Sequence, residues 1–289
     1  MCELDDMDAF AWRSSDLTRR QFGAMAIGAG LVTGLPRLAN AADTAGADVE
    51  VKTPDGTADA YFVHPVSGKH PGVLIWPDIL GLRPAFKQMA TRLAESGYSV
   101  LVINPFYRVK KASTALEHAD FNDPATRQTL IGMMNSLTPA TAAVDAKEFV
   151  AFLDNQASVD KKRKMATTGY CMGGPFVLRT AAASPDRIGA GATFHGGGLV
   201  TDKPESPHLL IAQMKAHFLI AIAESDDKKE PETKNVLRDT FAKAHLPAEI
   251  EVYSGTQHGW CPIDGAVYNL DQAEKAWSRM LVLFSNSLA

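Results

Sequence analysis

Cys171 stands in the run Gly169-Tyr170-Cys171-Met172-Gly173-Gly174. An apolar stretch precedes it and a helix-forming stretch follows. A thiol held there by glycines suits nucleophilic chemistry. Glycines allow a sharp strand-to-helix turn that side chains would obstruct, and the helix N-terminus favours the thiolate. Taken alone, the run reads more readily as a structural cysteine in a glycine-rich turn. A working nucleophile also needs a base and an acid to orient it. Downstream stand Glu224-Ser225-Asp226-Asp227 and then Gln257-His258-Gly259-Trp260. His258 would take the proton of Cys171 or pair with its thiolate. Asp226, or its neighbour Asp227, would hold the imidazole tautomer and stabilise the imidazolium. Separately, His258 reads as a surface loop histidine and Asp226 as a helix cap. Jointly, the residue types and their order favour catalysis.

These residues need elements that bring them together. Val49 to Lys52 and Ala58 to His64 alternate apolar and polar around Asp55-Gly56, which predicts an opening hairpin. Strands buried on both faces are predicted at 72–75, 98–103 and 217–223, and further strands at 164–168, 188–194 and 249–253. Helices are predicted at 84–95, 141–153, 175–183, 233–244 and 273–285, the first with Pro84 in its opening turn. Residues 110–139 read as irregular. Strands alternating with helices imply a mostly parallel sheet covered on both faces. Ligands of such sheets sit at the carboxyl ends of the strands. Cys171, Asp226 and His258 each follow a predicted strand end.

The chain's 289 residues suit one such domain plus an N-terminal extension. Hydrophobic residues make up 46% and charged residues 21%, with a formal net charge of −4. That balance gives no general pull toward nucleic acid. The basic run 161–164 reads as a solvated loop before a strand. Cys2, Cys171 and Cys261 are too few for a disulfide scaffold. Histidines are too scattered for a spaced metal motif, and no cofactor is implied.

The N-terminus reads as an address. Thr18-Arg19-Arg20-Gln21-Phe22 precedes a mild apolar run from Gly23 to Leu35, and Ala39-Asn40-Ala41 supplies small residues for cleavage. The paired arginines resemble a twin-arginine signal, read by an export machinery. The run is shorter than the roughly 20 residues of a spanning helix. Residues 1–41 are therefore expected to be a signal peptide. The mature enzyme, residues 42–289, would be periplasmic or secreted and carry no permanent membrane span.

Trp76-Pro77-Asp78-Ile79-Leu80-Gly81, the turn with Cys171, the Asp226 segment and His258-Gly259-Trp260 together resemble the dienelactone hydrolase family, from about Val49 onward. The resemblance implies an α/β-hydrolase fold, in which the order nucleophile, acid, histidine recurs. It implies that the carboxylate of Asp78 neighbours the thiol and helps to activate it, although the family usually carries the longer glutamate there. It assigns the oxyanion hole to the backbone amides of Ile79 and Met172. Family members that bind the dienelactone carboxylate carry an arginine soon after the histidine. Here Gly259-Trp260-Cys261-Pro262 follows, which leaves Arg108 and Arg127 as candidate cations from elsewhere in the chain.

His195 ends a strand beside Gly196-Gly197-Gly198, which suits either a pocket wall or a structural turn. Trp76 and Trp260 suit a pocket wall or the core. Cys261 reads as a buried thiol, with a disulfide to Cys171 as the alternative in an oxidising compartment. The expected activity is hydrolysis of a small ester or lactone. A broader carboxylesterase or thioesterase, or a thiol redox or ligand-binding protein on the same fold, is the alternative.

Overall fold

A computed structural model of the chain describes residues 41–112, 121 and 123–289, all within one compact unit. The expected signal segment falls outside the described residues, apart from Ala41.

The hairpin forms as the turn residues require. β1 (Thr44–Thr53) and β2 (Gly56–Pro65) pair antiparallel with Thr53 opposite Gly56, which takes a φ of 140°. The central strands are β3 (Gly72–Trp76), β4 (Ser99–Ile103), β5 (Met165–Tyr170) and β6 (Ile188–Phe194), each buried along its whole length. β7 (His217–Ala223) and β8 (Ala248–Tyr253) complete a sheet in the order β1-β2-β4-β3-β5-β6-β7-β8. From β4 through β8 every neighbouring pair is parallel.

Alternation along the strands divides the core into layers. Leu74, Trp76, Leu101, Phe218 and Ile220 join one core with Phe149, Val177, Leu178, Leu237 and Phe241. These last come from the helices α3 (Pro139–Asp154), α4 (Gly174–Ala183) and α6 (Thr233–Lys243). The alternate residues Val73, Ile75, Val100, Val102 and Leu219 are equally buried. They face the other way, where α1 (Pro84–Glu95) packs on β4 and α7 (Leu270–Ser287) on β6 and β7.

Two differences from the expected elements have local causes. Residues 110–139, read as irregular, contain α2 (Pro124–Met134), which Asp123 caps by accepting from the Thr126 amide at 2.7 Å, with Pro124 starting the helix. The acidic cluster after β7 is itself a short helix, α5 (Glu224–Lys229), with acids in its first turn and Lys228 and Lys229 in its last, matching the helix dipole. No helix among the described residues is long and apolar enough to cross a membrane.

Chain order places the site. β3 has β4 on one side and β5 on the other, so the winding reverses between β3 and β5. Loops that leave such a switch point diverge and open a crevice at the strand ends. The loop from β3 begins at Pro77-Asp78, and the turn from β5 carries Cys171.

Candidate active site

Cys171 takes a φ of 52° at the head of a tight 3₁₀ turn (Cys171–Gly173) between β5 and α4. A non-glycine residue in this region is held there at a cost by its surroundings. The glycines explain how. A Cβ on Gly169 would lie 2.3 Å from the Gly173 carbonyl oxygen, and one on Gly173 would lie 2.2 Å from the Trp76 carbonyl oxygen. One on Gly174 would lie 2.6 Å from the Gly196 Cα. The turn is thus pressed on the end of β3 on one side and the loop after β6 on the other. This pressing also brings the Met172 segment against the Trp76-Pro77 backbone that leads to Ile79.

His258 lies in the loop after β8, and its Nε2 is 3.0 Å from Cys171 Sγ. Its Nδ1 is 2.8 Å from Asp226 Oδ2. The neighbouring carboxylate, Asp227, instead pairs with Lys234 Nζ at 2.6 Å. Three consecutive residues of α5 support this loop, and the fourth holds the next helix. Glu224 Oε2 accepts from the Gly255 amide at 2.6 Å, and Ser225 Oγ accepts from the His258 amide at 2.9 Å. Asp226 takes the imidazole, and Asp227 holds α6 through Lys234. Thr256 adds a tie, accepting from the Glu224 amide at 3.1 Å and donating to the Tyr253 carbonyl at 2.6 Å. Glu224, Ser225 and Thr256 escaped the sequence reading because hydroxyl and carboxyl contacts to distant backbone leave no spacing pattern.

Burial opposes a charge on His258, but its bonds to Asp226 and Cys171 and the negative charges of both outweigh it, raising its pKa to about 10. The imidazolium form of His258 is favoured.

His195 sits behind His258, with ring centroids 5.1 Å apart at 67°. It is 1% exposed, has a φ of 42°, and neither ring nitrogen has a hydrogen-bond partner among the described residues. Burial, joined by the charge on His258, pushes its pKa well below 6.5, so its ring is neutral. Trp260 is fully buried and packs on Tyr253 with centroids 4.7 Å apart, within the core. Trp76 is also core, donating to Thr180 Oγ1 at 3.0 Å. Cys171 and Cys261 are both free thiols, and burial pushes the Cys261 pKa well above its ordinary value.

Asp78 is 8% exposed, and its carboxylate is engaged by Arg83 and the Leu80 amide. Arg108 is bound to Asp145 at 2.7 Å and to Asp55 at 2.6 Å, while Arg127 is exposed on α2. Arg83, which the sequence reading passed over, is the arginine beside the β3 loop.

Residues 58–288 match the model of the dienelactone hydrolase family. The chain belongs to that family. It is similar to a carboxymethylenebutenolidase of Rhodococcus opacus, 28% identical over 212 residues, which is 72% of this chain and 78% of the relative. Among solved structures it resembles a dienelactone hydrolase-like promiscuous phosphotriesterase from metagenomic libraries. That likeness has a TM-score of 0.70 and 22% identity, covering 85% of this chain and 99% of the other. It also resembles the dienelactone hydrolase of Anabaena variabilis, with a TM-score of 0.58 and 16% identity over 85% of this chain and 99% of the other. These structural likenesses establish the α/β-hydrolase fold. As a family member, the protein is a carboxymethylenebutenolidase-like hydrolase.

Proposed function

We propose that this hydrolase cleaves small carboxylic esters or lactones through a Cys171–His258–Asp226 triad and an acyl-thioester. The observation that carries the reading is the contact chain in which His258 sits 3.0 Å from Cys171 Sγ and 2.8 Å from Asp226 Oδ2. The Cys171 thiolate attacks the substrate carbonyl carbon, and the electron pair of the C=O bond moves to oxygen. The amides of Ile79 and Met172 donate to that oxyanion, an effect worth roughly 3–4 kcal/mol per donor in such sites. The oxyanion collapses and expels the alkoxide, which takes the His258 proton. In a lactone the freed alcohol stays tethered to the acyl group. Neutral His258 then takes a proton from water, and the hydroxide attacks the thioester. The thiolate leaves as the carboxylic acid forms, and His258 again carries a proton. Asp226 holds the imidazole through Nδ1 in every step.

We further propose that residues 1–41 act as a twin-arginine signal and that the mature enzyme works in the periplasm or outside the cell. Support for this comes from the sequence alone. Fusion of residues 1–41 to a reporter tests it. Export that stops when Arg19 and Arg20 become lysines is the expected result, and a reporter retained inside the cell would reject it.

The catalytic reading is tested by turnover of an ester and lactone panel by the mature protein and its Cys171→Ala variant. Loss of turnover in the variant is expected. Turnover that survives the substitution would overturn the triad.

A further inference from the structure

The family resemblance assigns the Asp78 carboxylate to the thiol, yet both of its oxygens are held by other donors. Oδ1 accepts from Arg83 Nη1 at 2.6 Å and from the Leu80 amide at 2.9 Å, and Oδ2 accepts from Arg83 Nη2 at 2.9 Å. The other edge of the same guanidinium grips a second acid. Nε donates to Asp264 Oδ2 at 2.6 Å and Nη2 to Asp264 Oδ1 at 2.9 Å. The side chains of Arg83 and Asp78 are 4% and 11% exposed, while that of Asp264 is 43% exposed. Burial opposes the charge on Arg83, but the two carboxylates hold it, leaving its pKa raised.

The two acids belong to different loops. Asp78 opens the turn that carries the Ile79 amide. The Gly81 amide closes that turn onto the Asp78 carbonyl at 2.9 Å, and Gly81 takes a φ of 73°. Asp264 belongs to the loop between β8 and α7 that also carries His258. That loop is internally fixed, with the Gly265 amide donating to the Pro262 carbonyl at 3.0 Å and the Asn269 amide to that of Trp260 at 3.1 Å. Arg83 therefore joins the segment with the oxyanion amide to the segment with the base.

We propose that Arg83 is a positioning residue that clamps the Ile79 turn to the His258 loop through Asp78 and Asp264. Asp78 then serves as one jaw of this clamp and does not take the Cys171 proton. The inference rests on the triad reading above. A planar guanidinium presents donors along two edges at a fixed angle, so it sets the mutual orientation of two carboxylates as a lysine ammonium does not. The position of Arg83 also calls for an explanation. It occupies the N-cap of α1, offers no capping bond, and puts a positive charge at the positive end of the helix dipole. Its partners supply the reason for an arginine there.

The test uses the full chain with Arg83→Gln, Arg83→Lys, Asp264→Asn, Asp78→Asn and the Asp78→Asn/Arg83→Gln double variant, beside Cys171→Ala. Steady-state turnover of one uncharged ester is measured. So is alkylation of Cys171 by iodoacetamide against pH, followed by mass spectrometry of its peptide. Misplacing a donor by an ångström costs up to about 100-fold, so Arg83→Gln is expected to lower kcat about 30-fold with KM within about threefold. Arg83→Lys restores only part of the loss, and Asp264→Asn lowers kcat about fivefold. The double variant falls no more than about threefold below Arg83→Gln, because one clamp is broken once. Alkylation keeps its rate and pH midpoint in every Arg83, Asp78 and Asp264 variant.

A tenfold slower or pH-shifted alkylation in Asp78→Asn alone would overturn the clamp in favour of a thiol-activating carboxylate. So would a kcat within twofold of wild type in Arg83→Gln. If Arg83→Gln does not fold, Asp264→Asn decides on the half-exposed jaw, and an unchanged kcat there rejects the proposal. With Cys171→Ala inactive, such results reject the clamp alone. Turnover by Cys171→Ala rejects the triad itself.

Discussion

His258 Nε2 lies 3.0 Å from Cys171 Sγ, although 87 residues separate them in the chain. This contact, with Asp226 behind the ring, holds the imidazolium up to about pH 10. In the proposed mechanism the alkoxide leaves by taking that proton. The alkaline limb of kcat/KM for an ester should therefore lie near pH 10, well above the 6.5 of an ordinary histidine. The same shift has a consequence for stability. The folded value exceeds the unfolded one, so protonated His258 favours the fold fully below about pH 6.5 and loses that contribution as pH rises through about 10. A pH–rate profile checks the first statement, and an alkaline limb near 7 would show that the proton is not held there.

Asp226 and Asp227 should separate cleanly on substitution. Asp226→Asn keeps the shape but removes the charge behind the ring. It should lower kcat by about 100-fold or more and move the alkaline limb down. Asp227→Asn breaks a largely buried pair with Lys234 that ties α5 to α6. It should leave kcat within about twofold and shift only the unfolding midpoint. Equal losses of kcat in the two variants would contradict the assignment.

These two acids also show where a sequence reading stops. They are adjacent and chemically identical, and a helix turning 3.6 residues per turn points neighbours about 100° apart. Only the presence of α5 decides which one meets His258. The glycine turn around Cys171 is legible because its glycine spacing lies within one strand–turn–helix unit, although Gly173 and Gly174 are pressed on distant backbone at Trp76 and Gly196. The buried strands were legible as short apolar runs. β5 runs two residues past the predicted end at Thr168, because Gly169 reads as the start of the turn although Gly169 and Tyr170 are both buried in the strand. α2 was missed because its burial is slight, with only Leu130 and Met133 fully inside. Arg83 and Asp264 are 181 residues apart, and no spacing connects them. One signal was available, since an arginine before Pro84 breaks the charge rule for a helix start.

Gly173 tests whether the turn needs its glycines. A Cβ there would meet the Trp76 carbonyl oxygen at 2.2 Å, and backbone on both sides cannot yield as a flexible side chain would. Gly173→Ala should cost about 3 kcal/mol in urea unfolding and abolish turnover. Gly197 is the control, because a Cβ there meets nothing within 4 Å. Gly197→Ala should stay within about 0.5 kcal/mol of wild type. Similar midpoints for the two variants would mean that the turn relaxes without harm.

Charge at the site predicts which substrates are preferred. Each basic group that the site positions already faces an acid. Arg83 lies between Asp78 and Asp264, His258 faces Asp226 and Cys171, and Lys234 is held by Asp227. No arginine follows His258 in Gly259-Trp260-Cys261-Pro262. A substrate carboxylate entering here meets more negative than positive charge, and the acids compete with it for Arg83. An uncharged ester or lactone should therefore have a kcat/KM about tenfold above that of a carboxylate-bearing isostere, a difference of about 1.4 kcal/mol. Added salt screens the repulsion, so raising the ionic strength from 0.01 to 1 M, where the Debye length falls from about 30 to 3 Å, should narrow the gap. Asp264→Asn removes one competitor for the guanidinium and should narrow it as well. A substrate pair measured at both salt concentrations decides the matter. Preference for the carboxylate that weakens with salt would mean that a cation at this site is open to the substrate after all.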